Sequence, residues 1–166
     1  MALNAYMKLK GAKSGDVKGS VTQKGREDSI MVIAVEHDII SPRDPQSGLP
    51  TGQRMHKPLT ILKELDKSSP ILYNILCTNE NISTLVIQFW TPNIKAAGGV
   101  GQEKQHYTIK LTNANIASIK FEMLNNKNPE LTRYTEREFI SFTYQKIEWT
   151  WEDGGITAGD DWEARV

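Results

Sequence analysis

The stretch YTIKLT at residues 107–112 decides the fold class, because apolar and polar side chains alternate along it with a period of two. Successive side chains of a β-strand point to opposite faces, so this alternation predicts a strand with one buried face. The same pattern recurs in IEWTW at residues 147–151, inside a longer strand predicted from about Glu138 to Trp151. Such alternation is typical of antiparallel sheets that pack one face on a core.

Further strands are predicted around these two. They cover Leu3 to Leu9, Ile30 to Ile40, Met55 to Leu65, Ile82 to Trp90 and Ile119 to Met123. The segment that begins at Ile30 is rich in β-branched residues and apolar on both faces, which indicates a strand covered on both sides or facing a partner. Pro58 lacks a backbone N–H and therefore marks a strand start, an edge or a bulge.

One helix is predicted over about residues 69–79. Ser69 is suited to cap its N-terminus, Pro70 fits the first helical position, and an apolar stripe follows at helical spacing. The stripe consists of Ile71, Leu72, Ile75 and Leu76. The sequence therefore predicts a mainly β fold, an antiparallel β-barrel or two packed sheets, with one short α-helix. Residues 1–166 are expected to form a single domain, with an extended loop at 41–54 and a less ordered C-terminal tail at 153–166.

Composition limits the classes of function. Twenty Lys and Arg residues balance twenty Asp and Glu residues, which argues against nucleic-acid binding, because such proteins carry excess positive charge. No apolar stretch is long enough for membrane insertion, and the N-terminus lacks the pattern of a signal peptide. The protein is therefore expected to be made in the cytoplasm, and any export needs another route. Cys77, the only cysteine in the sequence, is expected to be a buried apolar residue.

No catalytic or metal-binding arrangement is predicted. His37, His56 and His106 lack the spacing of metal ligands and are expected to be ordinary strand residues, and no GxSxG motif supplies a nucleophile. Glu136 and Glu138 suggest a glycosidase pair, but on an alternating strand they are expected to be two charges on one solvated face. The stretch AAGGVGQ at residues 96–102 lacks the Lys and Ser or Thr of a phosphate-binding loop, which favours a hairpin or mobile tip. We therefore predict a non-enzymatic protein without a cofactor.

The segment from Ser41 to Arg54 has no periodicity and contains three prolines and two glycines. Loops of this length are uncommon in compact domains and are usually either mobile or used in binding. Because proline lowers the entropy lost when a segment is fixed, a docked extended arm fits better than a floppy lid; an ordinary solvent loop is the alternative. The candidate interface residues are Ser41, Pro42, Arg43, Asp44, Pro45, Gln46, Gly48, Leu49, Pro50, Thr51 and Gly52.

Seven stretches, taken in order, resemble the haemolysin-coregulated protein (Hcp) family, the inner-tube proteins of bacterial type VI secretion systems. They are GDVKGS (15–20), EHDIISPRD (36–44), TGQRMHKP (51–58), DKSSP (66–70), TNEN (78–81), YTIKLTNA (107–114) and ISFTYQKIEW (140–149). Each stretch is weak alone, but their shared order across nearly the whole chain makes the resemblance specific.

The resemblance implies a small β-barrel with one helix, shared with phage tail-tube proteins, whose copies close into hexameric rings and stack into a hollow tube. It implies further partners: a contractile sheath, a spike protein, and effector proteins that the lumen holds and stabilises until the machine delivers them into target cells. The tube protein itself is then secreted to the outside or into target cells. Residues 41–54 then become the candidate for reaching an adjacent subunit or the next ring. One face of the strand from Ile30 to Asp38, with Ile30, Val32, Ala34 and Glu36, is expected at the lumen or an interface.

Two alternatives stay open at this point. A phage-type tail-tube subunit has the same kind of fold, and the sequence scarcely separates it from a secretion-tube protein. A monomeric β-barrel that binds a small ligand needs a lined cavity and a mouth, and it does not need the extended arm.

Overall fold

The computed structural model describes residues 3–93 and 102–162. Eleven strands and one helix follow one another along these residues. The strands are β1 (Ala5–Gly11), β2 (Gly15–Val17), β3 (Ile30–Val32), β4 (Ala34–Glu36), β5 (Ile39–Ile40), β6 (Met55–His56), β7 (Leu59–Glu64), β8 (Ile82–Pro92), β9 (Glu103–Glu122), β10 (Arg137–Trp151) and β11 (Ile156–Asp161). Helix α1 (Ser69–Cys77) lies between β7 and β8. The stretch at residues 96–102 falls almost wholly outside the described residues.

Nine of these strands form one antiparallel sheet with β9 near its centre. The order from one end is β2, β1, β8, β9, β10, β7, β4. Strand β3 also pairs with β1, and β11 pairs with the second half of β10. Strands β5 and β6 form a separate two-stranded sheet. The mainly β, antiparallel fold with a short helix is therefore confirmed.

The chain passes from one end of the large sheet to the other at Ile33. Strand β3 pairs with β1, β4 pairs with β7, and between them the Ile33 N–H donates to the carbonyl of Leu62 at 2.8 Å. The sheet thus curls so that β3, paired with β1, is joined through Ile33 to β4, paired with β7. Because the chain changes its pairing partner at Ile33, the sheet is not a closed barrel. The predicted strand from Ile30 to Ile40 is accordingly three short strands.

This change of partner also reverses which side chains face the core. Ile30 and Val32 are fully buried in the core, and after the crossing Val35 packs against it while Ala34 and Glu36 are exposed. The prediction that Ile30 and Val32 face a lumen or interface is therefore wrong, because it assumed one uninterrupted strand with a single alternation. Ala34 and Glu36 do point outward, and their role at a lumen or interface stays a prediction.

A second break in alternation lies at Asn113 in the middle of β9. This residue has a positive φ of 50°, and its amide donates to the side chain of Gln145 at 2.8 Å. As a result Leu111 and Ala114 both face the core. The stretch around Ile119, predicted as a separate strand, is the continuation of the same long strand β9.

Several smaller expectations are corrected by the structure. Helix α1 has Ser68 rather than Ser69 at its N-cap position, and the Ser68 hydroxyl makes no capping bond because it donates to the carboxylate of Asp66. Cys77 is exposed rather than buried, since it ends the helix on the side away from the core residues Leu72 and Ile75. The tail is also more ordered than predicted, because β11 pairs with β10 along six residue pairs; residues 163–166 lie outside the described residues.

Candidate functional site: the loop arm and its anchor

The loop arm, defined as residues 41–54, joins β5 to β6 and forms the end of a β-hairpin. Backbone hydrogen bonds hold its two sides together. The Thr51 N–H donates to the Pro42 carbonyl at 3.0 Å, and the Asp44 N–H donates to the Leu49 carbonyl at 2.9 Å. An isolated bridge also joins Arg43 to Pro50. The loop arm is therefore folded on itself without any partner.

Asp44 organises the tip of the loop arm. Its carboxylate oxygen Oδ1 accepts hydrogen bonds from the backbone N–H groups of Ser47 and Gln46, both at 2.8 Å. These donors favour the charged form and hold the pKa of Asp44 below its usual value. Gly48, with a positive φ of 70°, donates to the Asp44 carbonyl at 2.9 Å and completes a tight turn that glycine forms without strain.

The predicted interface residues are brought together on this one hairpin. Pro42 and Asp44 are half-buried, and the other nine are exposed. Leu49 exposes 65% of its surface, and the neighbouring Met55 exposes 50%. Large apolar side chains on a structured hairpin provide surface that a partner protein can bury. Contact between the loop arm and another copy of the chain stays a prediction.

Six side chains, here called the clasp, tie the base of the loop arm to β10 and β11. They are His37, Arg54, His56, Tyr144, Asp160 and Trp162. The Arg54 guanidinium donates to both carboxylate oxygens of Asp160, with Nη2 lying 2.8 Å from Oδ1. His56 Nε2 lies 2.7 Å from the Oδ2 atom of the same carboxylate. A two-pronged Arg–carboxylate contact fixes orientation as well as distance, so the loop arm is held at a defined angle to β11.

The hydroxyl of Tyr144 lies between the two histidines of the clasp. It is 2.7 Å from His37 Nε2 and 2.7 Å from His56 Nδ1. Trp162 stacks on the His56 ring, with ring centres 5.7 Å apart, and donates its indole N–H to the Tyr144 carbonyl. The clasp therefore joins the chain on both sides of the loop arm to the two strands that come last in the sequence.

Charges and burial set the protonation of the clasp. Hydrogen bonding from Arg54 holds the pKa of Asp160 below its usual value, against the opposing effect of burial. Burial, followed by repulsion from the charge of His56, lowers the pKa of His37, while the carboxylate of Asp38 acts in the opposite direction. Burial also raises the pKa of Tyr144 far above its normal value, so its hydroxyl keeps its proton.

Sequence reasoning missed the clasp. It treated His37 and His56 as ordinary strand residues, whereas the structure brings both onto one hydroxyl. The one local signal is that Tyr144 follows the alternation of Ile140 and Phe142, which predicts an inward side chain. Nothing local links Tyr144 to His37, because 107 residues separate them.

The features that suggest catalysis are explained structurally. Glu138, predicted on a solvated face with Glu136, is fully buried, and its Oε2 lies 2.8 Å from the equally buried Lys63 Nζ. The prediction fails for Glu138 because β10 pairs with β7 at this point and both side chains turn inward, whereas Glu136 is exposed. Within residues 3–93 and 102–162, no group of three His, Cys, Asp or Glu side chains is placed to hold a metal ion. No helix in the same ranges is long and apolar enough to cross a bilayer.

Comparison with known proteins decides the family. The model described as "Type VI secretion system effector, Hcp" matches residues 6–151. The chain belongs to the Hcp family. A curated Hcp relative, the "Major exported protein" of Pseudomonas aeruginosa, is 40% identical over 175 residues, which cover 100% of this chain and 99% of the relative.

Solved Hcp structures share the fold over nearly the whole chain. A crystal structure of an Hcp protein is 32% identical with a TM-score of 0.88, covering 98% of this chain and 99% of the other. A mutant form of Hcp1 from Escherichia coli EAEC 042 is 31% identical with a TM-score of 0.82, covering 96% and 99%. Hcp3, a secreted protein of Pseudomonas aeruginosa, is 30% identical with a TM-score of 0.75, covering 99% and 100%. The predicted resemblance is confirmed, and the chain is an Hcp protein of type VI secretion.

Proposed function

We propose that copies of this chain close into six-membered rings and that these rings stack into the hollow inner tube of a type VI secretion machine. A ring forms when one surface of a subunit binds a different surface of the next and the rotation closes. The observation that carries the proposal is the loop arm, a hairpin that exposes Leu49 while the clasp fixes its base. Membership of the Hcp family supports the same function.

The loop arm is suited to binding because it is already folded in the single chain. Ordering flexible side chains and loops on binding costs free energy, and a segment that is already folded avoids much of this cost. Full burial of a leucine side chain contributes roughly 1.5–3 kcal/mol, so covering the exposed part of Leu49 contributes about 1–2 kcal/mol per copy. Six such contacts in each ring add to a substantial stabilisation of stacked rings.

The lumen of this tube is proposed to hold and stabilise effector proteins until delivery. Ala34 and Glu36, which point outward from β4, are the candidate residues for the lumen or a subunit interface. The proposed affinity for cargo is modest, because the cargo must leave after firing. A contractile sheath around the tube and a spike protein at its tip are the other proposed partners. The chain itself then acts by binding and transport, without catalytic turnover.

Deletion of Gln46–Gly52 tests the role of the loop arm. The measurement is absolute mass by light scattering, followed by negative-stain imaging of the same material. The intact chain is expected to give a mass of roughly six times 18.7 kDa, annular particles and stacked rings. The shortened chain is expected to keep its far-ultraviolet circular dichroism while its contacts between copies weaken.

Two point variants separate the arm from general changes in charge. Leu49→Asp places one negative charge at the exposed apolar tip and is expected to reduce stacking. Asn126→Asp adds the same charge at an exposed residue of the β9–β10 connection and is expected to leave stacking unchanged. Normal rings and tubes from both the deletion and Leu49→Asp would contradict the proposed role of the loop arm.

The monomeric ligand-binding barrel is less consistent with the structure. Aliphatic side chains fill the inside of the curled sheet, and its large residues Leu59, Leu85 and Leu111 are fully buried. A ligand barrel needs an internal cavity where these side chains lie. A mass of 18.7 kDa for the intact chain at high concentration would nevertheless restore this alternative.

A further inference from the structure

The clasp places two titratable rings on one hydroxyl group, which limits how many protons it can bind. We infer that the clasp is an acid-sensitive lock on the loop arm: it stays closed while His37 and His56 carry at most one positive charge together, and it opens when both are protonated. The inference concerns the anchoring of the loop arm, and its consequence for tubes rests on the proposed function.

The positions of the hydrogens in the clasp follow from which of its atoms can donate and which can only accept. The ionised carboxylate of Asp160 only accepts hydrogen bonds, so His56 carries a hydrogen on Nε2. With His56 neutral, its Nδ1 accepts from the Tyr144 hydroxyl, and the Tyr144 oxygen accepts from His37 Nε2–H. With His56 charged, Nδ1–H donates to the Tyr144 oxygen, and the hydroxyl turns to donate to His37 Nε2. Both arrangements satisfy every contact in this chain of hydrogen bonds.

A second proton removes this freedom. When both rings are charged, His37 Nε2–H and His56 Nδ1–H both donate to the Tyr144 oxygen, and neither ring can accept the proton of its hydroxyl. Two positive charges then face each other across one oxygen atom, in a place where Tyr144 is buried. Like charges in a partly buried site repel more strongly than they do in water, and the easiest relief is separation of the loop-arm base from β10.

The charges around His37 do not cancel this repulsion. The groups that face it or line its groove are His56, Arg54, Lys57, Tyr144, Asp160, Asp38 and Glu36. Asp38 favours a charged His37, but its carboxylate is mostly exposed and already pairs with Lys57 at 3.3 Å. Asp160 is bound by Arg54 on both oxygens, so it is already neutralised.

The pH range follows from the direction of the His37 shift. Burial and the charge of His56 lower the pKa of His37 below its ordinary 6.5. A group with a lowered pKa in the folded state stabilises that state above its unfolded pKa and loses the contribution as pH falls through the folded value. The clasp is therefore closed at neutral pH and opens in mildly acidic solution, well above the range in which Asp160 takes up a proton.

The experiment follows the fluorescence of Trp162, which stacks on His56 and loses this contact when the clasp opens. Emission of the intact chain is titrated from pH 8 to pH 4, and the Trp162→Phe variant identifies its share of the signal. His37→Gln keeps an amide that can bond to the Tyr144 hydroxyl but takes up no proton, so its transition is expected to move out of the mildly acidic range, down to the pH at which Asp160 takes up a proton. His106→Gln, a histidine that contacts Trp151 outside the clasp, is the matched control and is expected to leave the midpoint unchanged.

A second measurement uses the intact chain and needs no variant. The pKa of His37 in the intact chain is read from its imidazole NMR signals, and a value at or above 6.5 overturns the inference. An unchanged midpoint in His37→Gln, or an equal shift in His106→Gln, overturns it as well. Light scattering at pH 7 and pH 5 then tests assembly separately. If the clasp opens as expected while tubes persist, the lock is supported and the proposed role of the loop arm is contradicted.

Discussion

Replacing Lys63 by methionine should destabilise the fold strongly, because the change leaves a buried carboxylate without its cation. Lys63 Nζ lies 2.8 Å from Glu138 Oε2, 3.1 Å from Asp66 Oδ1 and 3.0 Å from Ser69 Oγ. The side chains of Lys63 and Glu138 expose 0% and 1% of their surface. Because the Glu138 side chain is almost fully buried, loss of the cation leaves the desolvation penalty of its charge largely uncompensated.

The expected loss follows from measurements on other buried ion pairs. Removing one partner of such a pair costs about 3–5 kcal/mol. The Ser69 hydroxyl still donates to Glu138 at 3.0 Å after the change, which places the expected loss nearer 3 kcal/mol, at the lower end of that range. With a urea dependence of about 2 kcal/mol per molar, the unfolding midpoint is expected to fall by roughly 1.5 M.

The assay is urea unfolding followed by circular dichroism, at one fixed protein concentration because any association between copies would add stability. The double variant Lys63→Met with Glu138→Leu removes both charges and is expected to recover most of the loss, since apolar side chains of similar size often replace buried pairs without penalty. Lys57→Met is the matched control. Its pair with Asp38 is exposed at 3.3 Å, so it should cost less than about 1 kcal/mol.

Two outcomes would refute this reasoning. The first is a midpoint for Lys63→Met that differs from Lys57→Met by less than the experimental error, which would mean that water or relaxation compensates Glu138. The second is a double variant as unstable as the single one. In that case the cost arises from packing around β7 and not from an uncompensated charge.

Two further changes test other close contacts. Gly19→Ala is expected to destabilise the chain by about 2 kcal/mol or more, because an added methyl group would overlap the backbone carbonyl of Ser29. Gly52 has open space around it, so Gly52→Ala should be nearly neutral; thermal unfolding measures both. Backbone donation from Ser14, opposed by burial, holds the pKa of Glu80 low, so its contribution to stability is present above its usual 4.5 and is lost as pH falls further. Glu80→Gln should therefore flatten the decline of the urea midpoint between about pH 5 and pH 3; an unchanged decline would contradict this assignment.

Much of the sheet could be predicted from the sequence because alternation is a local property. The pattern of YTIKLT and its neighbours gives β9 and β10, and the apolar stripe with Pro70 gives α1. Alternation fails where the backbone changes course. Ile33 and Asn113 each reverse the buried face. Asparagine is enriched at positive φ, which gives a weak local signal at Asn113, whereas Ile33 shows no feature that marks the reversal in advance.

The polar contacts could not be predicted from the sequence for a different reason: they join residues that are far apart in the chain. Glu138 looks like any exposed strand carboxylate until its strand is known to lie beside Lys63. The contact between Asp160 and His56 likewise forms only when β11 folds back on β10 and meets the base of the loop arm. The exposed loop arm itself could be located from its prolines, but its anchor depends on contacts between residues about one hundred positions apart.

The pairing of β10 has a consequence for the order in which the protein can be made and assembled. β10 pairs with β9, β7 and β11, yet it is synthesised after β7 and β9 are complete. Until residue 151 has been made, both earlier strands have an edge with unpaired backbone groups, which invites association with other chains. The anchor of the loop arm forms later still, with Asp160. A nascent chain therefore lacks both a finished sheet and a fixed arm, and any surface that depends on either becomes available only after the whole chain has been released and has folded.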